Sequence, residues 1–266
     1  MFIEEDINDW KEDFEDVLEL YAEGNIHCGN LASCISDVHK AFALSIMGKR
    51  PTAMTQEFLE QMRDIGKAHF IFGTNPGKPI SFTVGGKEFH TTGVRETAYM
   101  HVVFWNKIFF TTLISRDTEG MKMLQQLSDD IFATSNSGTD DFELAFVRVQ
   151  RHIPHFNSEL ETLVDSALDN CVPKKMNSLQ FKYRSVILVP FLKLYKAIIH
   201  KDSASFNQLL SEAIEAHRQF WSPAEKELKA EGWISLPLLA VCALACDQNI
   251  EITVESDYIP KFVYEK

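Results

Sequence analysis

Apolar residues recur every three or four positions along most of this chain, and the runs that carry this pattern predict helices. Ile7, Trp10, Phe14, Val17, Leu18 and Tyr21 form the stripe of a first helix over 6–23. Leu31, Ile35, Val38, Phe42 and Ile46 form that of a second over 30–47, which Gly48-Lys-Arg-Pro51 ends. Phe58, Met62, Ile65, His69 and Phe72 form a third over 53–72. Alternation with period two replaces this pattern convincingly only in Ile80–His90, around Gly85-Gly86. It predicts one small β-hairpin that projects from the surface. The stripe Val94, Ala98, Val102, Trp105, Phe109 and Leu113 then predicts a long central helix over 94–115, and 117–133 continues helically.

The polar run Ser135–Asp141 is the best internal hinge, but composition does not change across it, so a single domain over 1–266 is expected. Phe142–Val149 leads into Arg151-His-Ile-Pro-His155, and Asn157 or Ser158 caps a helix with Leu160, Leu163, Val164, Ala167 and Leu168 inward. Cys171–Lys175 reads as a turn. Leu179–His200 is strongly apolar with Pro190 at its middle, where a missing N–H and a bulky ring should kink or split the helix. In the last third, Phe206, Leu209, Leu210, Ala213, Ile214, His217, Phe220 and Trp221 share a helical face, with Ser203 or Ser205 as its cap. Ser222-Pro-Ala-Glu225 has the form of a capping box that starts another helix. Ser235-Leu-Pro237 opens a run, Leu236–Cys246, without a charged residue. Every face of that run must meet protein, and it is too short to span a bilayer, which takes roughly 20 residues. Helices of varied length without a fixed repeat make the chain all-α, an irregular multi-helix bundle with one small hairpin.

Charge adds a feature that the apolar pattern does not contain. The chain carries 38 acidic against 26 basic residues, a formal −12. Such a balance argues against nucleic acid as partner, because phosphate binding needs clustered Lys and Arg. The first helix concentrates the acid: Asp9, Glu12, Asp13, Asp16, Glu19 and Glu23 lie opposite its apolar stripe, with Lys11 the one interruption. This face is either solvated or a docking surface for a cationic partner, and its six carboxylates are the candidate partner-binding residues. Glu96, Asn106 and Lys107 argue against a membrane span at 94–115. The start Met-Phe-Ile-Glu-Glu-Asp has no basic segment followed by an apolar run, and the five cysteines show no framework spacing, so a reducing cytoplasm is expected.

Candidate chemistry is sparse. Gly73-Thr-Asn-Pro-Gly-Lys-Pro79 falls one residue short of a phosphate loop and has proline where a metal-binding hydroxyl is needed. His152 and His155 are separated by Pro154, which keeps them from stacking on one helix face, and Cys242 with Cys246 would need two further ligands to hold zinc. His217, like His27, His39, His69, His101 and His200, reads as a hydrogen-bonded core histidine. No His-Glu-x-x-His, repeated Glu-x-x-His or Gly-x-Ser-x-Gly pattern occurs. The expectation is no catalytic residue, no metal and no cofactor: a protein that is not an enzyme.

Phe206 through Ala216-His217-Arg-Gln-Phe-Trp221, Ile234-Ser-Leu-Pro237-Leu-Leu-Ala240, Ala243-Leu-Ala245 and Asp257-Tyr-Ile-Pro260 carry a family likeness. On these residues the C-terminal third resembles the immunity protein 49 family of bacterial polymorphic toxin systems. Where family members often have glycine after the core helix, this chain has Gln248-Asn249, and asparagine also tolerates that turn. The resemblance implies a cytoplasmic antidote. It would bind a cognate toxin or effector protein, basic where the toxin is nuclease-like, and occlude its active site or an adjacent surface. The alternatives are a non-catalytic helical scaffold or regulatory binding protein and a helical metal-dependent hydrolase.

Overall fold

The structure is a computed structural model and describes residues 3–95, 99–133, 139–171 and 178–265. The chain divides into two compact units, residues 1–139 and 140–266. Most of the polar run 135–141 and most of the expected turn 171–175 lie outside the described residues, as do Glu96 and Ala98.

In the first unit, α1 (Ile3–Ala22), α2 (Cys28–Met47) and α3 (Thr52–Thr74) are followed by β1 (Pro79–Val84), β2 (Lys87–Thr92), α4 (Val102–Ser115), α5 (Thr118–Gln125) and α6 (Asp130–Ala133). Helix α2 packs between α1 and α3, and α3 in turn meets α4, α5 and β1. Five members of the first stripe, Ile7, Trp10, Phe14, Leu18 and Tyr21, are buried, while Val17 is half-buried. The indole N–H of Trp10 donates to Gln61 Oε1 at 3.0 Å, which meets the polar need of both buried groups.

The hairpin forms as its glycines require. Val84 pairs with Lys87, leaving a two-residue turn, and Gly85 and Gly86 have φ of +57° and +73°. A turn with both central residues in the left-handed region matches the twist of antiparallel strands. It does not project freely, as the sequence suggested. Phe82, Val84 and Phe89 are buried, Phe89 meets the edge of Tyr21 at 5.7 Å, and Gly85 sits against Phe14 and Leu18 of α1. Alternation is the mark of a strand with one covered face, and here α1 and α3 supply the cover.

The expected long helix over 94–115 is shorter. Helix α4 begins at Val102, where the His101 side chain accepts the Phe104 N–H as a cap, and Val94 stands exposed. Of this stretch, the described residues 94–95 and 99–101 continue the helical apolar spacing without folding as helix. Likewise α5 and α6 divide the expected run 117–133. Trp105 and Phe109 stack at 4.9 Å, and the Trp105 N–H donates to the Leu124 carbonyl at 3.2 Å. Close approach of α3 to α4 depends on Gly66, where an added Cβ would lie 2.3, 2.6 and 2.7 Å from three side-chain atoms of the fully buried Ile108. Gly66→Ala should therefore destabilise the chain by about 1–3 kcal/mol through overpacking, despite the roughly 1 kcal/mol that alanine gains in helix propensity. Urea unfolding of the two proteins measures the difference.

In the second unit, α7 (Asp141–His152), α8 (Ser158–Asp169), α9 (Ser178–Tyr183) and α10 (Val189–Ile199) precede α11 (Ser203–Trp221), α12 (Ala230–Trp233), α13 (Leu236–Asp247) and α14 (Lys261–Tyr264). Helix α10 is the hub, packing on α8, α11 and α13. The split expected at Pro190 is found. A π-helical turn, Arg184–Leu188, joins α9 to α10, and the Val189 N–H bonds back five residues to the Arg184 carbonyl. Widening one turn makes room for a ring that would otherwise strike the carbonyl four residues back. Nearly all of α13 is buried, as its lack of charge demands. It ends with Asn249 at φ +60°, the Ile250 N–H bonding to the Ala245 carbonyl and the Asn249 N–H to that of Cys246. That is a Schellman ending with asparagine in the left-handed position.

Two expected caps fail. Asp202, not Ser203 or Ser205, caps α11, its carboxylate accepting both the Ser205 N–H and hydroxyl. A carboxylate outcompetes a hydroxyl there because its charge also meets the positive helix end. Ser222-Pro-Ala-Glu225 starts only a short 3₁₀ turn, Ala224–Lys226, and makes no side-chain cap. Lys226 instead folds back, donating to the Phe220 carbonyl at 2.8 Å with its ammonium 3.3 Å from the centre of the Phe220 ring. It satisfies the end of α11, and the new helix does not propagate.

Candidate partner-binding site

Helix α1 places the predicted carboxylates outward because its inner face is occupied. Asp9, Glu12, Asp13, Asp16, Glu19 and Glu23 are all exposed, Glu23 one residue past the helix end. With exposed Glu5, all of these but Asp13 form a ladder, 5-9-12-16-19-23, whose steps of four and three residues keep one helical face. At 1.5 Å per residue the ladder is about 27 Å long. Ten carboxylates against the one ammonium of Lys11 give residues 1–23 a charge of −9, most of the chain's −12.

The flanks of α1 are neutralised and its crest is not. Glu4 pairs with Arg50 at 2.7 Å, Asp6 with Lys40 at 2.7 Å and Glu15 with Lys87 at 3.8 Å. Among the described residues no cation lies within ion-pair distance of Asp9, Glu12, Asp13, Asp16 or Glu19, and Glu23 accepts only the Asn25 amide at 3.3 Å. Asp13 also faces Asp37 of α2. Burial, and then the Asp13 charge, push the Asp37 carboxyl above its ordinary range, although Lys40 opposes them. Like charges crowded on one surface cost stability in the free protein and are relieved by a cationic partner.

The remaining candidates have structural duties. His152 Nε2 lies 3.1 Å from Oδ1 of Asn157, the cap of α8, and its ring is 5.8 Å from that of His155 beyond the end of α7. Among the described residues no group of three or more His, Cys, Asp or Glu side chains could hold a metal ion. Cys28, Cys34, Cys171, Cys242 and Cys246 form no disulfide. The seven-residue turn 73–79 is taken up by the end of α3 and the start of β1, with Gly77 and Lys78 bonded to Gly93.

Of the histidines expected in the core, His39, His69 and His217 are buried. His27 and His101 are instead helix caps, and His200 is exposed against Glu161 at 2.9 Å. Burial lowers both His69 and His217 to about 4, against the opposing bonds to the Tyr99 and Gly232 carbonyls. Those values keep both rings neutral at pH 7.

Sequence reasoning passed over two charged constellations. Asp140 and Glu143 form the capping box of α7, and Asp140 pairs at 2.7 Å with the buried Arg184, which lies over the Phe142 ring. The Asp-x-x-Glu spacing signals the box, but nothing local signals Arg184. Asp117 caps α5 and binds Lys67 at 2.8 Å, with Arg63 and Asp64 beside it. Burial alone would raise the Asp117 carboxyl, but the Lys67 and Gly120 hydrogen bonds and the two cations hold it below its ordinary range. Both constellations tie elements together.

Shallow cavities open on the surface. One of about 490 Å³ is lined by Ile3, Glu4, Glu5, Asn8 and Asp9 at the start of α1. Another, of about 410 Å³, follows the C-terminal segment and includes Val254, Glu255, Asp257, Ile259, Lys261 and Tyr264. Among the described residues no helix is long and apolar enough to cross a membrane.

Compared with known proteins, residues 43–263 match the family model described as Immunity protein 49. No curated protein and no solved structure matches the chain. The match reaches back far beyond the C-terminal third, across both units, while α1 precedes it.

Proposed function

The chain belongs to the immunity protein 49 family, and on that membership we propose that it binds a cognate toxin or effector domain and neutralises it without catalysis. The family match is the observation that carries this reading, and an immunity function is what it implies. The two units act together as one immunity domain, a reading supported by a match that runs across both. The toxin acts in the cytoplasm, where this chain meets it, and neither nucleic acid nor membrane is a partner.

The contact is assigned to the crest of α1. Its supports are the exposure of Asp9, Glu12, Asp13, Asp16, Glu19 and Glu23 and the absence of neighbouring cations for five of them among the described residues. A carboxylate ladder presents the regular negative charge that a basic, nuclease-like cleft accepts from a phosphate backbone. Occupying that cleft blocks the active site or the surface beside it. Co-expression with the effector domain encoded by the adjacent gene tests the reading. The expected result is restored growth and a complex that survives purification. Persistent toxicity with no complex would reject neutralisation.

A further inference from the structure

Beyond α13, residues 250–256 belong to neither helix nor sheet, yet they have the period of a strand. Glu251, Thr253 and Glu255 are exposed, while Ile252, Val254 and Ser256 are half-buried. Hydrogen bonding alternates in the same way. The Glu251 N–H donates to Ser203 Oγ at 3.4 Å, the Glu251 carbonyl accepts from Asn207 Nδ2 at 2.7 Å, and the Thr253 N–H donates to Asn207 Oδ1 at 2.7 Å. The Asn207 amide thus stands where the peptide group of a neighbouring strand would stand. Side chains and backbone groups that both alternate with period two define an extended strand with two edges.

Helix α11 occupies one edge. The other consists of the N–H and C=O groups of Ile252 and Val254, which have no hydrogen-bond partner among the described residues. An open edge of this kind is a template for another chain. The cavity of about 410 Å³ lies alongside, with Glu255 and Asp257 in its wall. Lys261 in the same wall is paired with Glu265 at 3.2 Å, so the wall carries a net negative charge.

We propose that the Ile252–Val254 edge takes an extended segment of the toxin domain by strand addition. The segment alternates basic side chains, facing Glu251 and Glu255, with apolar ones facing Ile252 and Val254, because residues on one face of paired strands meet each other. This contact rests on the neutralisation reading but not on α1. Residue-resolved amide exchange of the full chain, alone and with the effector domain encoded by the adjacent gene, tests it. The Ile252 and Val254 amides should exchange freely alone and at least about tenfold more slowly in the complex, with Thr253 protected in both. A complex in which Ile252 and Val254 still exchange freely overturns the edge and leaves neutralisation standing. Failure to form any complex overturns neutralisation, and the edge with it. Val254→Pro removes one edge donor and spares the bonds to Asn207. It should weaken the complex at least about tenfold at unchanged Tm, and unchanged affinity overturns the proposal.

Discussion

Asp9→Lys, Asp13→Lys and Asp16→Lys together should weaken binding to the toxin domain by about 100-fold or more, since close interfacial charge pairs couple by roughly 1.5–7 kcal/mol. The same protein should melt no lower than the parent. All three side chains are exposed and lack ion pairs among the described residues, so no folded-state contact is lost. Lysines at 9 and 16 instead fall three or four residues from Glu5, Glu12 and Glu19, where each new pair adds roughly 0.2–0.5 kcal/mol to the helix, while the lysine at 13 meets those at 9 and 16 with the same like-charge spacing that the three aspartates have now. Asp37 also loses the neighbouring charge that now raises it. Binding and stability should therefore move in opposite directions, which general damage to the fold cannot produce. Salt supplies an independent check. Screening shortens from about 10 Å at 0.1 M to about 3 Å at 1 M, so the parent should lose affinity steeply with salt and the triple variant should not. Calorimetric titration at two salt concentrations reads both effects. Equal affinities for parent and variant would remove α1 from the interface.

The acidic ladder was readable in the sequence because it needs only one helix with its apolar side buried, and Ile7, Trp10, Phe14, Leu18 and Tyr21 guarantee that side. Pro190, Gly85-Gly86 and the uncharged run Leu236–Cys246 were equally legible, since each imposes a local constraint that no neighbour can lift. What stayed hidden depends on partners distant in sequence. The strand-like edge at Ile252 exists because Asn207, 44 residues from Glu251, holds the opposite edge. Ser222-Pro-Ala-Glu225 has every local mark of a helix start, but Lys226 turns back onto the end of α11. The family likeness was seen only in the last third, where His217, Trp221 and Pro237 are distinctive, and the match is far longer. Periodic apolar helices such as α2 and α3 satisfy any helical bundle and so identify none.

Acid should unfold this protein chiefly through two imidazoles. His69 and His217 are buried, and both are lowered to about 4 because burial disfavours the charged ring. In the unfolded chain they take up protons near their ordinary value of about 6.5. The unfolded state therefore binds more protons between those limits, and stability falls as pH drops from about 6.5 through about 4. A tenfold change in proton affinity is about 1.4 kcal/mol, which makes the loss about 3 kcal/mol for each ring. Two such losses consume much of the roughly 5–15 kcal/mol that holds a domain together. Urea unfolding at pH 7.5, 6, 5 and 4.5 should show the decline. His217→Asn keeps a donor for the Gly232 carbonyl and cannot titrate. The smaller side chain leaves a cavity and lowers stability at pH 7.5, so the level alone is uninformative. The slope decides: it should flatten by about half in His217→Asn and nearly vanish when His69→Asn is added. An undiminished slope in the double variant would assign the acid sensitivity to other groups. Asp117 is then the nearest candidate, since its depressed carboxyl also loses its stabilising contribution as pH falls, though at lower pH.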